Sequence, residues 1–188
     1  MEAIWNREII LNKAIRRVMA VCVFVVLTAL GGFVRIPLPF SPVPITLQTF
    51  FVLLSGVMLG GWLGVSSQLS YILLGIMGLP IFSGANSGLF YLFGPTAGYL
   101  FGFVLASFFL GRLIKYCPDR FLMIFLLMCL ADLLILSLGI VWLKLLFGYH
   151  IDTLLFIGLI PFIPGDLLKA FLASVIYAKL KTRLKEIL

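Results

Sequence analysis

Long apolar segments alternate with short segments rich in proline, glycine or basic residues along almost the whole chain. A helix of about 20 apolar residues is long enough to cross a lipid bilayer. The pattern therefore predicts six membrane-spanning helices joined by short loops. Their expected bounds are residues 18–34, 46–60, 64–79, 96–114, 121–146 and 154–180.

Proline and glycine mark the breaks between these segments. Residues 36–111 contain no Asp, Glu, Lys, Arg or His, yet this tract is too long for one or two helices. The four prolines within 37–44 indicate a loop, because proline disrupts a helix interior. Repeated Gly, Pro and Asn indicate a second loop over 79–95. We also expect the last helix to bend or break near Pro161 and Pro164.

Composition supports a membrane protein. The chain is 63% hydrophobic and 11% charged, whereas soluble domains contain about 25% charged residues. We therefore expect an all-α integral membrane protein forming a single transmembrane domain over residues 1–188.

The basic residues predict the orientation, because Lys and Arg concentrate in cytoplasmic loops. With the N-terminus inside, 11 of the 14 Lys and Arg residues lie on the cytoplasmic side, and the others are Arg35, Lys144 and Lys169. Both termini are therefore predicted to be cytoplasmic. This distribution also accounts for the net charge of +7 without nucleic-acid binding.

Asp166 and Lys169 are the main candidates for chemistry. No charged residue lies within 154–165 or 170–178 on either side of them. An ionisable group at membrane depth costs roughly 2.5–3.5 kcal/mol on insertion scales and usually marks a functional site. Residues three apart on a helix share a face. The pair therefore offers an acceptor and a donor to a polar ligand, on the side predicted to be external.

Other polar positions leave two interpretations open. Gly84 and Asn86 lie in a segment that forms either a plain external turn or a backbone lining for a ligand. Gln48 and Thr49, at the start of the second helix, could line a site or only join helices through hydrogen bonds. Tyr99 lies among glycines spaced for close helix packing, or on a wall against a flat ligand. Asp132 is a second intramembrane carboxylate, which we expect to be structural.

The chain contains no Gly-rich phosphate loop ending in Gly-Lys-Ser/Thr, and its cysteines and single histidine lack metal-site spacing. We therefore expect no ATP hydrolysis by that route and no bound metal. The small number of catalytic side chains argues against an enzyme. A binding protein or carrier fits better.

Four separate motifs resemble the BioY family in order and spacing. They are PVPITLQT at 42–49, GLPIFSG at 78–84, GPTAGY at 94–99 and PGDLLK at 164–169. BioY proteins are the biotin-specific substrate-binding (S) components of energy-coupling-factor (ECF) transporters. The resemblance extends from residue 36 to the C-terminus.

The resemblance implies a six-helix S-component fold in the bacterial cytoplasmic membrane and high-affinity capture of extracellular biotin. It also implies that a transmembrane coupling (T) component and two ATP-binding-cassette ATPases supply the energy. Biotin is the transported ligand, and no cofactor is implied. The family's ligand positions correspond to Asn86, Asp166 and Lys169, with Gln48, Gly84 and Tyr99 as further lining.

Three alternatives stay open. The chain could be an S component for another vitamin, since the Asp, Asn and Lys set is less selective than the whole string of motifs. It could be a membrane scaffold without a ligand, in which Asp166 and Lys169 pair only with each other. An intramembrane transferase is the third, and it is disfavoured by the shortage of catalytic side chains.

Overall fold

The computed structural model describes the backbone of residues 2–187 and the side chains of residues 13–181. Within that part of the chain the fold consists of α-helices, one short 3-10 helix and a small β-hairpin. The elements are α1 (Glu2–Phe33), β1 (Arg35–Ile36), β2 (Ile45–Thr46), α2 (Gln48–Leu59), α3 (Gly61–Ile76), the 3-10 helix (Leu89–Phe93), α4 (Ala97–Leu113), α5 (Phe121–Phe147), α6 (Ile151–Gly158) and α7 (Ile163–Ile187).

Among the residues that the structure describes, two helices are long and apolar enough to cross a membrane on their own, namely the Lys13–Phe33 part of α1 and the whole of α5. The bent pair α6 and α7 forms a third such segment if it is taken as one span. The apolar helices α2 and α4 are shorter, at 12 and 17 residues. The count of six spans, the cytoplasmic termini and the single domain over residues 1–188 stay predictions.

The helices lie close to the predicted segments, with three differences. Helix α7 continues to Ile187, beyond the expected end at residue 180. Helix α1 begins at Glu2, well before the expected start at residue 18, because residues 2–17 contain no proline or glycine to stop it. The loop predicted over 79–95 contains the short 3-10 helix. Proline and glycine end helices through backbone geometry, which explains why the remaining bounds were predictable.

The break between α6 and α7 positions the charged pair. The two helices meet at an angle of 48°. Pro161 lies in the break, and Pro164 lies in the first turn of α7. A backbone N–H in the first turn has no partner within the helix, so proline is tolerated there. Asp166 therefore also falls in the first turn of α7. The positive end of the helix dipole favours a carboxylate there.

Helix α2 occupies the centre of the bundle, where it packs against α1, α3, α4 and α7. Helix α4 lies tightly against α5, since a Cβ added at Gly102 would come within 2.8 Å of the Ile135 Cα. The glycine spacing in α4 thus allows close packing of the two helices, one of the two interpretations left open by the sequence.

A β-hairpin that the sequence pattern did not indicate connects α1 to α2. Its two-residue strands pair antiparallel, with Arg35 opposite Thr46. Leu47 donates its backbone N–H to the carbonyl oxygens of Gly31 and Val34, both at 3.1 Å. These contacts fix the start of α2 against the end of α1. They also set the position of the polar residues in the first turn of α2.

Candidate ligand-binding site

A small cavity of about 40 Å³, partly open to solvent, lies where α2, α4, α5 and α7 meet the hairpin and the loop over residues 77–96. Ligand cavities are mostly apolar, with a few well-placed polar groups. This cavity has that character. Its apolar wall comes from Tyr99, Leu100, Phe103, Leu136 and Phe162.

Asp166, Lys169 and Thr49 form the main polar group of the cavity. The Lys169 ammonium donates to Asp166 Oδ1 at 2.7 Å and to Thr49 Oγ1 at 3.1 Å. Thr49 Oγ1 also lies 3.4 Å from Asp166 Oδ1. Asp166 and Lys169 are only 3% and 9% exposed. A buried ion pair is retained at a cost in desolvation, and both members of this pair line the cavity.

The ammonium of Lys169 has three N–H donors, and two of them have the partners just described. Among the residues with described side chains none takes the third donor, which is therefore available to a ligand. Asp166 Oδ1 accepts from Lys169 and, at the long distance of 3.4 Å, from Thr49, so a ligand N–H can take the place of the Thr49 contact. The polar end of the cavity can therefore both donate to and accept from the same small molecule.

Gln48 connects the cavity to the loop over residues 77–96. Its Nε2 donates to the hydroxyl of Tyr71 at 2.5 Å, and that hydroxyl donates to the Ile81 carbonyl oxygen at 3.2 Å. Tyr71 is fully buried, and Gln48 is 4% exposed. The chain of hydrogen bonds fixes Gln48 in the cavity wall and holds the loop to α3.

Tyr99 presents its ring to the cavity, while its hydroxyl is used elsewhere. The hydroxyl donates to the Gly158 carbonyl oxygen at 2.9 Å, at the end of α6. The ring packs directly on Gly139 of α5, where any side chain would collide with it. The Tyr99 and Phe162 ring centroids are 6.1 Å apart. These two aromatic side chains give the cavity a rigid apolar face.

The loop over residues 77–96 covers one side of the cavity and is anchored by Phe82. This side chain is fully buried, packs edge-on against Tyr71 and stacks on Tyr91 with centroids 4.6 Å apart. The Gly88 N–H also donates to the Gly75 carbonyl oxygen of α3 at 2.8 Å. The loop is therefore a packed part of the fold.

The six predicted site residues divide into two groups in this structure. Gln48, Tyr99, Asp166 and Lys169 line one cavity. Gly84 and Asn86 lie in the covering loop and are not among the cavity-lining residues. Asn86 is exposed, and its side-chain amide donates to the Ser83 carbonyl oxygen at 2.7 Å.

Gly84 is in the left-handed region, at φ 78°, and the Arg35 guanidinium lies directly against it. A side chain at position 84 would be strained by this backbone conformation and would displace the arginine. Gly84 thus lets an exposed cation approach the covering loop. Ser83, the neighbour of Gly84, lines the cavity.

Two residues that support the site were not among the six predicted site residues. Thr49, noted with Gln48 as a polar residue at the start of the second helix, bridges both members of the charged pair. Tyr71 supports Gln48 from α3. No local pattern distinguishes Tyr71 from an ordinary core aromatic residue, because its partners lie on other elements.

Known proteins resemble this chain over most of its length. The model of the BioY family matches residues 5–186. A probable biotin transporter BioY of Pyrococcus horikoshii is 37% identical over 166 residues, which cover 88% of this chain and 96% of the relative. The biotin transporter BioY of Thermotoga maritima is 38% identical over 167 residues, with the same two coverages.

A solved structure gives the same result for the fold. The crystal structure of the S-component for biotin from an ECF-type ABC transporter superposes with a TM-score of 0.83 at 28% identity, covering 91% of this chain and 93% of that one. The family model, the relatives and the solved structure all indicate the family that the motifs at 42–49, 78–84, 94–99 and 164–169 resemble. The chain belongs to the BioY family.

Proposed function

We propose that this chain binds biotin in the cavity around Asp166 and Lys169, as the S component of an ECF transporter. The observation that carries the proposal is the buried group of Asp166, Lys169 and Thr49 at one end of an apolar cavity. The names of the relatives and of the similar crystal structure, all of them biotin transporters or a biotin S-component, support biotin as the ligand.

The chemistry of biotin fits the two ends of the cavity. The ureido ring has two N–H donors and one carbonyl acceptor, and Asp166 and Lys169 offer the complementary acceptor and donor. In the pose that we propose, Asp166 accepts from a ureido N–H and Lys169 donates to the ureido oxygen. The fused rings then lie against Tyr99 and Phe162, whose burial leaves an apolar surface facing the ligand.

The valerate carboxylate would lie at the opposite end, near the mouth of the cavity. Lys169 is buried and is held by its contacts with Asp166 and Thr49. In the proposed pose it therefore pairs with the ureido group, which lies beside Asp166. Arg35 is an exposed cation beside the covering loop. We therefore assign the carboxylate to the side of Arg35. Asn86 and Gly84 stay predicted ligand residues that would require the covering loop to rearrange around the ligand.

The wider system follows from the family. We propose that the ligand enters from the external side of the bacterial cytoplasmic membrane, and that a T component and two ATP-binding-cassette ATPases drive its release inside. Co-purification of this chain with a T component and the ATPases would support the complete transporter. Saturable biotin uptake by cells that express this chain without them would contradict the need for such partners.

Equilibrium binding of radiolabelled biotin to the detergent-purified protein tests the proposed ligand. We expect saturable binding that excess unlabelled biotin abolishes and that riboflavin or thiamine leaves intact. Asp166→Ala leaves ureido donors unpaired and should cost on the order of 2–4 kcal/mol, or roughly 30- to 1,000-fold in affinity. Asp152→Ala, which removes an exposed carboxylate from α6, is the matched control and should bind normally.

The outcomes separate the alternatives. Competition by another vitamin but not by biotin would show an S component of different specificity. Absence of binding to all these ligands by a folded protein would favour a scaffold. Normal biotin affinity in Asp166→Ala would overturn the placement of the ligand.

A further inference from the structure

Asp132 is a second buried carboxyl group, in the same groove as Asp166. It belongs to α5 and is 5% exposed, and Asp166 belongs to α7. The side chains of both residues line this groove between the two helices, which is otherwise walled by Cys129 and aliphatic side chains. The two carboxyl groups therefore meet in an apolar environment.

The buried oxygens of this pair lack donors. Among the side chains of residues 13–181, none donates to Asp132 Oδ1 or to Asp166 Oδ2. Ionised carboxylates only accept hydrogen bonds, so the two groups cannot satisfy each other while both are ionised. A single proton between them would turn one into a donor and would remove the repulsion between two like charges.

The charge balance points to the same arrangement. Lys169 is the cation paired with Asp166 in this part of the fold, at 2.7 Å. Two carboxylates beside one buried ammonium would leave an uncompensated negative charge at membrane depth, which is costly. One carboxylate, one carboxylic acid and one ammonium are neutral together.

We propose that Asp132 is a neutral carboxylic acid that donates a hydrogen bond to Asp166 and thereby positions it for the ligand. The inference rests on the proposed function, since it concerns the residue assigned to the ureido group. The bond from Asp132 goes to Asp166 Oδ2, the oxygen that lacks a donor. Oδ1 accepts from Lys169 at 2.7 Å and only weakly from Thr49 at 3.4 Å, so a ligand N–H can take the place of the Thr49 contact.

This arrangement makes Asp132 more than a link between two helices. Without the donor, Asp166 would keep an unsatisfied buried oxygen and could rotate away from the cavity to find a partner. With it, the acceptor for the ligand is held in place before binding. Preorganisation of this kind increases affinity, because less ordering is required when the ligand arrives.

Two substitutions test the positioning role. Asp132→Asn keeps a neutral side chain with N–H donors, so biotin affinity should stay within a few-fold of the wild type. Asp132→Leu fills similar space without a donor, and affinity should fall by roughly ten- to a hundredfold. Loss of affinity in the Asn variant as great as in the Leu variant would overturn the proposal.

A spectroscopic measurement tests the protonation state without biotin. At neutral pH, infrared difference spectra between wild type and Asp132→Asn should contain the carbonyl stretch of a protonated carboxylic acid in the wild type only. Absence of that band from the folded wild-type protein, or its persistence in the Asn variant, would overturn the proposal. This measurement requires neither biotin nor the Asp132→Leu variant. Failure of biotin binding with the band present would therefore reject the proposed function alone.

Discussion

Replacing Thr49 by valine tests how Lys169 is held when the ligand is bound. In the structure the Lys169 ammonium contacts both Asp166 Oδ1, at 2.7 Å, and Thr49 Oγ1, at 3.1 Å. The proposed ligand takes over part of the accepting capacity of Asp166. Thr49 is then the neighbouring side chain that still accepts from Lys169. Valine has nearly the shape of threonine but no hydroxyl, so the change removes this contact without opening a large cavity.

The size of the effect follows from the geometry. A hydrogen bond to a charged group contributes about 1.5–3 kcal/mol. The second contact of Thr49, at 3.4 Å from Asp166, is long and adds little. We therefore expect biotin to bind Thr49→Val with about 1.5–3 kcal/mol less free energy, which corresponds to roughly 10- to 150-fold weaker affinity.

Isothermal titration calorimetry in detergent measures this difference directly. Thr153→Val removes an exposed threonine hydroxyl from α6, away from the charged pair, and should bind biotin as the wild type does. Equal affinities of Thr49→Val and Thr153→Val would refute the reasoning that Thr49 supports Lys169 in the bound state. A loss in both variants would point to a general effect of the substitution in the membrane region.

Two further predictions concern the covering loop. Phe82→Ala removes a fully buried ring, which should lower the free energy of unfolding by about 3–5 kcal/mol and the midpoint of thermal unfolding with it. Phe90→Ala, at a position 89% exposed, is the control and should change the midpoint little. Equal midpoints in the two variants would contradict an anchored loop. Arg35→Gln should weaken biotin binding by about 0.2–1 kcal/mol, as for an exposed charge contact, but leave the affinity for biotin methyl ester unchanged, and an equal loss for both ligands would contradict the proposed pose.

The sequence predicted much of the fold because the local signals are strong. Helix α5 was expected over residues 121–146 and spans Phe121–Phe147. Proline, glycine and charged residues border the apolar segments, and each acts through backbone geometry or solvation at its own position. The β-hairpin was missed because its strands have only two residues each and carry no alternating pattern.

The candidate site was predictable where one residue type is costly in a membrane. Asp166 and Lys169 were identified because a charged side chain at membrane depth is energetically costly and usually functional. Both residues line the cavity. The partners of the site residues on other helices were not predictable. Tyr71 contacts Gln48 from another helix, and Asp132, expected from the sequence to be a structural carboxylate, lies in one groove with Asp166 only through the packing of the bundle.

A crystal structure of this chain with biotin bound tests the central claim most directly. The account predicts the ureido ring within hydrogen-bonding distance of Asp166 and Lys169, the fused rings against Tyr99, and the valerate carboxylate toward Arg35. Biotin bound outside this cavity would contradict the claim. An inverted ligand, with its carboxylate on Lys169 and its ureido ring at the mouth, would contradict the proposed recognition.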